Sequence, residues 1–458
     1  MGASGLGVWF AFADWPTPGP SRKREGRFTA MTESNRPFGF WTATALVVGG
    51  MIGAGIFVQP AQLAPFGWTG ALAWLVAIPA AMLLAYVLSR LTAAHPGATG
   101  IVEIVGDALG PLPGVLVGWS YWVGIVSANA IIALTGIRYL ATFVPALTAS
   151  PLATALGATT LVWALTALNL GGARGAGRFQ VATTLLKLLP LIAVVLILIG
   201  LSFADTASFT AHEQAPFAAD QFTTALTLAF FPMVGFESAS LAAERVRDPA
   251  RNVMRATMWG TALTGVFYLI ISNGIVFAMP PAEVAASDAP IALFVEQFWG
   301  RGASLVVAAF AAISAIGCLN GWVLMQGEVP LGMARAGLLP RFLARTSGRD
   351  VPTTAVLVSS LLASALILSG AIPGFTGVLT FMLQLTTAAT VWLYFGACLA
   401  ALRLGLVRGA ALIGLAAASW VLWGSGLEPL GLSIVLMLTA VPLYIFAVRG
   451  KTKTAESS

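Results

Sequence analysis

The sequence has few charged residues, few histidines and few cysteines, and each shortage excludes a class of protein. Charged residues make up only 9% of the 458 residues, against 58% hydrophobic residues, which excludes an ordinary soluble domain. The two histidines, His95 and His212, and the two cysteines, Cys318 and Cys398, have no metal-ligand or redox spacing. The phosphate-binding pattern GxxxxGK[ST] is also missing, which excludes a nucleotide-driven pump. We therefore expect neither an enzyme nor a metal site nor a cofactor.

Long apolar runs occupy most of the chain. Each has a length close to the ~20 residues that cross a bilayer as a helix. They cover about residues 39–62, 68–91, 113–143, 152–169, 180–203, 219–243, 256–279, 303–326, 354–370, 373–400, 408–424 and 429–448. Because the runs are continuous and do not alternate with polar residues, they indicate helices and not barrel strands. The sequence predicts an all-α membrane protein with twelve transmembrane helices.

Basic residues mark one side of the predicted bundle. They cluster in the N-terminal tail (residues 1–37), in every second loop and in the C-terminal tail (449–458), with Arg301 as an exception. Loops rich in Lys and Arg stay in the cytoplasm, so we expect both tails to be cytoplasmic and the domain at 38–448 to lie in the cell (inner) membrane. The net charge of +6 then reflects topology and not nucleic-acid binding. Met31 is an alternative start, which would make residues 1–30 a non-native extension.

The first apolar run contains VGGMIGAGIF at residues 48–57, with glycines at 49, 50, 53 and 55. Gly49 and Gly53 have the spacing that lets two membrane helices pack closely, which is one explanation. The other is a break in the helix, because glycine weakens a helix and the freed backbone groups must line a cavity if lipid cannot satisfy them. The two helix ends would then offer N–H groups to a carboxylate and carbonyls to an ammonium, the two charges of a zwitterion.

The sixth apolar run contains a second candidate break, LAFFPMVGFES at residues 228–238. Pro232 removes a backbone donor and Gly235 follows within a turn, although an isolated proline is also explained by a simple kink. In transporters built from inverted repeats, interrupted segments occur at corresponding places in the two halves. Glu237 lies in the same run, and a carboxylate at membrane depth is costly unless it is paired or exchanges a proton.

Four segments resemble the amino acid, polyamine and organocation transporter superfamily. They are VGGMIGAGIFVQPAQLA in the first run, FFPMVGFES in the sixth, RVRDPARNVMRAT after it and LNGWVLMQGE in the eighth. The chain most resembles the basic amino acid and polyamine antiporters, including those of the arginine/agmatine type, from about residue 38 to the end. The resemblance implies alternating access and a five-plus-five inverted repeat, with repeat one at about 39–203 and repeat two at about 219–400. Helices eleven and twelve, at about 408–448, would be additional, and a homodimer is compatible with the family.

The resemblance also implies a substrate site at mid-membrane. The backbone of Ala54 and Gly55 would hold the carboxylate, and the carbonyls of Met51, Phe231 and Val234 would hold the amino group. Ala54 replaces a serine of those antiporters, and Phe231 replaces a gating tryptophan. The side-chain end of the pocket would contain Gly124, Ile125, Asn129 and Ile132 of helix three, Trp322 of helix eight and Gln384 of helix ten.

Two further roles follow from the resemblance. Trp322 would stack on a guanidinium through a cation-π contact, although a tryptophan in a membrane protein is often packing or an interfacial anchor. Tyr121 and Glu237 would belong to an inner gate, with Trp392 in the place of its third member, a tyrosine. Asn129 is also explained by a plain interhelical hydrogen bond.

Lys187 is the only lysine inside an apolar run, seven residues into the run at 180–203. Snorkelling explains a lysine near a helix end. In proton-coupled relatives, a lysine here occupies the place of the sodium ion of sodium-coupled members and faces helices one and eight, whereas arginine/agmatine antiporters lack it. We therefore expect sodium independence, with protons as the candidate coupling ion, because desolvation penalises an ammonium.

Three hypotheses follow. The leading one is an amino acid antiporter of the arginine/agmatine type; a polyamine alone ranks lower because it lacks the carboxylate that helix one is suited to hold. The alternative is a proton-coupled neutral amino acid permease or exporter. A nutrient sensor or a channel on a transporter fold is the alternative of another class. Arg138, near the outer end of helix three, either repels cations or anchors the helix at the interface.

Overall fold

The computed structural model describes residues 39–95, 98, 100–171, 173–203, 212–241, 246–347, 351–372 and 378–456. The predicted N-terminal tail at 1–37 therefore lies outside the described residues. Within them the regular structure is helical, without a strand. This agrees with the expectation that the apolar runs form helices.

Seventeen α-helices lie in the described part of the chain, and we number them in chain order. They are α1 Phe40–Met51, α2 Ala54–Leu63, α3 Gly67–Ala94, α4 Ile101–Leu109, α5 Pro111–Ala141, α6 Pro151–Leu170, α7 Ala173–Phe203, α8 Ala219–Phe230, α9 Ser238–Leu241, α10 Pro249–Ala278, α11 Pro281–Ala286, α12 Pro290–Arg335, α13 Thr353–Ser369, α14 Val378–Arg403, α15 Arg408–Gly424, α16 Leu427–Leu438 and α17 Ala440–Glu456. Helix α12 is bent at Gly300, whose φ is 81°.

Eight described stretches are long and apolar enough to cross a membrane. They are Phe40–Ala94, Pro111–Ala141, Pro151–Leu170, Leu186–Phe203, Pro249–Ala278, Pro290–Arg335, Leu379–Arg403 and Leu427–Val448. Two shorter apolar helices, Thr353–Ser369 and Arg408–Gly424, accompany them. The chain is thus a multi-pass helical protein, while the count of twelve crossings and the inverted repeat stay predictions.

Large apolar side chains are exposed on the outer surface of the bundle. Examples are Leu75, Leu196, Leu361, Ile413 and Phe446. In water such a surface would cost free energy, because exposed apolar area is unfavourable. In lipid the same side chains are solvated, so the surface fits a membrane protein.

Helix α5 lies at the centre of the bundle, packed against both α12 and α14. Helix α10 packs against α1 and α3, and α7 packs against α12. The interrupted helices α1–α2 and α8–α9 run among these elements, and residues on both sides of the two interruptions, such as Met51 and Met233, are buried. The interruptions are therefore placed in the protein interior, where irregular backbone at membrane depth is tolerated.

Candidate functional site

The first interruption lies at Ile52 and Gly53, between α1 and α2. The last carbonyls of a helix have no intrahelical partner. At the end of α1, three side chains from three other helices each donate a hydrogen bond to one of these carbonyls. The Gly49 carbonyl accepts from Lys187 Nζ at 2.7 Å. The Gly50 carbonyl accepts from Trp322 Nε1 at 3.4 Å, and the Met51 carbonyl from the Tyr268 hydroxyl at 2.6 Å.

The other side of this interruption is the N-terminus of α2. Gly53 precedes the helix with φ of −145° and ψ of −145°, and as a glycine it has no side chain that could cap the first turn. The helix begins at Ala54, whose side chain is not described. The first N–H groups of a helix have no intrahelical partner and carry partial positive charge. This end of α2 is therefore suited to an anion.

The second interruption lies between α8 and α9, where a short 3-10 helix, Phe231–Met233, is followed by Gly235 with φ of 118°. A Cβ at Gly235 would lie 2.7 Å from the carbonyl carbon of Gly50. A Cβ at Gly55 would lie 2.6 Å from Pro232 Cβ. The two interruptions thus cross with their backbones in contact, so close packing explains these glycines together with the broken helix.

A cavity lies at this crossing. It is lined by Gly50, Met51, Gly53, Gly55, Ala128, Ile132, Phe231, Pro232, Val234, Cys318, Trp322 and Thr386. Its volume is about 20 Å³, which is roughly the space of one water molecule. The surrounding helices must therefore separate before the cavity can admit an amino acid.

Six of the eleven residues predicted for the substrate site line this cavity. These are Met51, Gly55, Ile132, Phe231, Val234 and Trp322. The lining residues that the sequence analysis did not assign to the substrate site are Gly50, Gly53, Ala128, Pro232, Cys318 and Thr386. Most of these residues are immediate sequence neighbours of residues that were assigned to the site. Their position next to an assigned residue was therefore the signal that could have indicated them.

The other predicted site residues of α5 and α14 are not among the residues that line the cavity. A Cβ at Gly124 would lie 2.6 Å from Thr390 Oγ1, so Gly124 lets α5 approach α14. Ile125 is fully buried, and Gln384 is half-buried. Asn129 Nδ2 donates to Gln326 Oε1 at 2.6 Å, so the interhelical hydrogen bond considered for Asn129 is present.

Glu237 is fully buried and accepts three hydrogen bonds. The Tyr121 hydroxyl donates to Oε1 at 2.8 Å. The Tyr394 hydroxyl donates to Oε2 at 2.7 Å, and the Gly235 N–H donates to the same oxygen at 3.0 Å. We call Glu237, Tyr121 and Tyr394 the carboxylate cluster. It joins α5 and α14 to the backbone of the second interruption.

Trp392, which the sequence analysis placed in the inner gate, is not one of the three residues of this cluster. Its indole Nε1 donates to Ser433 Oγ of α16 at 3.1 Å, and Tyr394 takes the place beside Glu237. Residues two apart on a helix face different sides, so the error of two positions turned the wrong side chain toward the carboxylate. The signal was available, since the expected residue was a tyrosine and the segment VWLYFG contains one.

Lys187 is 1% exposed, which excludes snorkelling. Its ammonium contacts the C-terminal end of α1, where the helix dipole and the carbonyls favour a cation. The predicted orientation toward helix one is therefore observed, and α7, which carries Lys187, also packs against α12. Arg138 forms an ion pair of 3.1 Å with Asp288, which ties α5 to the segment before α12.

A sequence model described as Amino acid permease matches residues 38–454. The chain belongs to this family. The permease is 29% identical over 340 residues to the cadaverine/lysine antiporter of Escherichia coli (strain K12), over 73% of this chain and 75% of the relative. It is 30% identical over 370 residues to a putative arginine/ornithine antiporter of Bacillus subtilis, over 74% and 78% of the two chains.

A third relative is a putrescine transporter of Haemophilus influenzae, 27% identical over 365 residues, which are 79% of the permease and 83% of the relative. The resemblance to the basic amino acid and polyamine antiporters is thereby confirmed. The permease is a multi-pass membrane transporter and not an enzyme.

Proposed function

We propose that this permease is a secondary amino acid antiporter that works by alternating access in the cell (inner) membrane. The observation that carries the proposal is the interruption between α1 and α2. It puts uncapped N–H groups and C-terminal carbonyls at one cavity, the two backbone groups that recognise the two charges of an amino acid. The names of the three relatives, two of which are antiporters of a cationic amino acid, support exchange.

In the proposed complex the carboxylate binds the N–H groups of Ala54 and Gly55. The ammonium binds carbonyls at Met51, Phe231 and Val234. The Tyr268 hydroxyl already donates to the Met51 carbonyl, but a carbonyl oxygen has two lone pairs and accepts a second donor. Tyr268 would therefore lie beside the bound ammonium.

Lys187 supports sodium-independent transport. Its ammonium already supplies a positive charge to the end of α1, so a sodium ion at the same carbonyl would meet a like charge. Protons are the coupling ion that we propose for any net transport, with Lys187 as the group that exchanges them.

For the substrate we propose arginine and agmatine, because Trp322 lines the cavity and a guanidinium stacks well on an indole. The second candidate function is a proton-coupled neutral amino acid permease or exporter. It is favoured by the buried Lys187 and by an apolar lining that includes Ala128, Ile132 and Val234. A sensor or channel on the same fold is separated from both by flux against a gradient.

For the architecture we propose twelve crossings with a five-plus-five inverted repeat. The two interruptions fall in the first and sixth apolar runs, as such a repeat requires. Both termini would be cytoplasmic, and a homodimer is compatible with the family. Reaction of terminal tags with proteases in spheroplasts and in inverted vesicles tests the orientation.

The test of function is uptake of labelled arginine, and separately of labelled leucine, into proteoliposomes. The vesicles are preloaded with agmatine, preloaded with leucine, or left empty under an inward proton gradient; protein-free vesicles are the control. Uptake that depends on internal agmatine supports the antiporter. Uptake of leucine by empty vesicles, driven by the proton gradient, supports the permease. If the labelled amino acid is never concentrated inside the vesicles under any of these conditions, both transport hypotheses are contradicted. A channel or a sensor then remains.

A bulky residue at Gly55 is a poor test of the carboxylate site, because its Cβ would meet Pro232 Cα at 2.8 Å and disturb the crossing. Competition by substrate analogues avoids this problem. Arginine amide keeps the ammonium and the side chain but lacks the carboxylate. If the α2 N-terminus holds the carboxylate, the amide should compete at least ~10-fold more weakly, since a hydrogen-bonded charge contributes about 1.5–3 kcal/mol. Equal competition would contradict the proposed binding mode.

A further inference from the structure

A chain of buried amides and hydroxyls runs from α5 through α12 and α13 to α6. Asn129 on α5 donates through Nδ2 to Gln326 Oε1 at 2.6 Å. Gln326 Nε2 donates to Ser360 Oγ at 2.8 Å and to the Val356 carbonyl at 3.3 Å. Ser360 Oγ is 2.6 Å from Thr166 Oγ1. All five residues are fully or almost fully buried.

The Val356 carbonyl fixes the orientation of both amides. A carbonyl can only accept, so the NH₂ group of Gln326 must face Val356 and its oxygen must face Asn129. An oxygen at that place requires a donor, so Asn129 must turn its NH₂ group toward Gln326. The Asn129 Oδ1 atom then points away from Gln326, and it has no hydrogen-bond partner among the described residues.

The helical positions next to Asn129 line the cavity. Asn129 follows Ala128 directly and is one helical turn before Ile132, and both neighbours line the cavity. Gln326 is four residues after Trp322, so it lies on the same face of α12 as that cavity-lining indole. The Asn129–Gln326 pair is thus at the side-chain end of the proposed site, where the helices must separate to admit an amino acid.

We propose that Gln326 is a positioning residue that turns the Asn129 amide so that its Oδ1 accepts a hydrogen bond from the side chain of the transported amino acid. The substrate class is an amino acid with an N–H or O–H donor near the end of its side chain. Side chains that end in an acceptor or a methyl group leave Oδ1 unpartnered and are disfavoured. This inference rests on the proposed function, since it specifies the side chain that the same site selects.

The test uses self-exchange, in which proteoliposomes contain and receive the same amino acid, so the counter-substrate need not be known. Lysine, citrulline and norleucine have similar lengths. Lysine and citrulline carry distal donors, with and without charge, whereas norleucine ends in a methyl group. In the native protein, lysine and citrulline should show apparent affinities about five- to tenfold higher than norleucine, as expected for one hydrogen bond.

Gln326→Leu removes the acceptor that holds Asn129, so the preference for lysine and citrulline should fall to within about twofold of norleucine. Gln326→Glu, as a buried acid, still offers a carbonyl to Asn129 and a hydroxyl to Val356, so it should retain the preference. Asn169→Leu is the matched control. Asn169 donates to Asn320 Oδ1 at 3.1 Å, another buried amide pair between helices, but neither residue lines the cavity.

Loss of the preference in Gln326→Leu, with retention in Gln326→Glu and Asn169→Leu, supports the inference. An equal loss of affinity for all three amino acids in Gln326→Leu would show a merely structural role and overturn the inference. The same loss of preference in Asn169→Leu would also overturn the inference. A native protein that exchanges the three without preference also overturns it, while leaving the transport function intact. Failure of the native protein to exchange any amino acid contradicts the proposed function instead.

Discussion

Replacing Tyr394 by phenylalanine should loosen the carboxylate cluster and open the cavity more often. The change removes one hydroxyl and keeps the ring, which stacks on Phe236 with centroids 4.7 Å apart. Glu237 Oε2 then loses its 2.7 Å hydrogen bond from Tyr394 but keeps the one from the Gly235 N–H at 3.0 Å. The link between α14 and the second interruption is therefore weakened and not abolished.

The magnitude follows from the contacts that remain. A hydrogen bond to a charged group contributes about 1.5–3 kcal/mol, and we take the lower part of this range, ~1.5–2 kcal/mol, because each carboxylate oxygen keeps one donor. If the bond is broken when the proposed gate opens, the ratio of open to closed states should rise about 10- to 30-fold.

Alkylation of Cys318 measures this opening. Cys318 lines the cavity, so its reaction with a small maleimide requires separation of the helices. In a Cys398→Ala background, the labelling rate should rise in Tyr394→Phe by the same ~10- to 30-fold, because labelling follows the population of the open state when closing is fast.

Tyr139→Phe is the matched control. Its buried hydroxyl donates to a neutral acceptor, the Phe57 carbonyl, at 3.0 Å, and Glu237 is not among its partners. This variant should label within about twofold of the parent, although it loses roughly 1 kcal/mol of stability. A Tyr394→Phe variant that labels at the parental rate, or a Tyr139→Phe variant that labels as fast, would refute the gating role.

Three further predictions concern the helix ends and the surface. Lys187→Met should cost about 1–3 kcal/mol of stability by leaving the Gly49 carbonyl unpaired, and should reduce net uptake driven by a proton gradient, because we propose that Lys187 exchanges the protons. Thermal unfolding in detergent and proton-driven uptake measure the two effects, and parental uptake would contradict the coupling role. Tyr268→Phe frees one lone pair of the Met51 carbonyl, so ammonium-dependent binding should tighten by up to about fivefold, measured by equilibrium binding; weaker binding would show that the hydroxyl itself contacts the substrate. Arg138→Gln breaks an ion pair whose side chains are 31% and 67% exposed, so stability should change by less than about 1 kcal/mol, and a larger loss in thermal unfolding would contradict this.

The interruptions and their neighbourhood were accessible to sequence reasoning because they depend on local chemistry. Glycine and proline act on the backbone at their own positions, so the breaks between α1 and α2 and between α8 and α9 could be placed within a few residues. A lone carboxylate and a lone lysine in apolar runs require partners. Glu237 and Lys187 were singled out for that reason, and both are buried against polar groups.

The identity of the partners was less accessible, because it depends on the rotation of distant helices. Tyr394 was missed because a shift of two positions reverses the face of α14. Tyr268 was missed because nothing in its own segment indicates that its hydroxyl meets the end of α1. Gln326 was missed because its significance lies in its contact with Asn129, which is 197 positions away in the chain.

The contact between Gly50 and Gly235 has a consequence for how such a transporter diversifies. It is made by backbone atoms, since a Cβ at Gly235 would lie 2.8 Å from the Gly50 oxygen, and no side chain takes part in it. The crossing therefore requires glycine at position 235, where any side chain would meet the Gly50 backbone. We therefore expect a change of substrate to be tolerated at cavity-lining side chains such as Phe231 and Ile132. Trp322, which donates to the Gly50 carbonyl, and Glu237, which accepts from the Gly235 N–H, are more constrained, because they also hold the crossing in place.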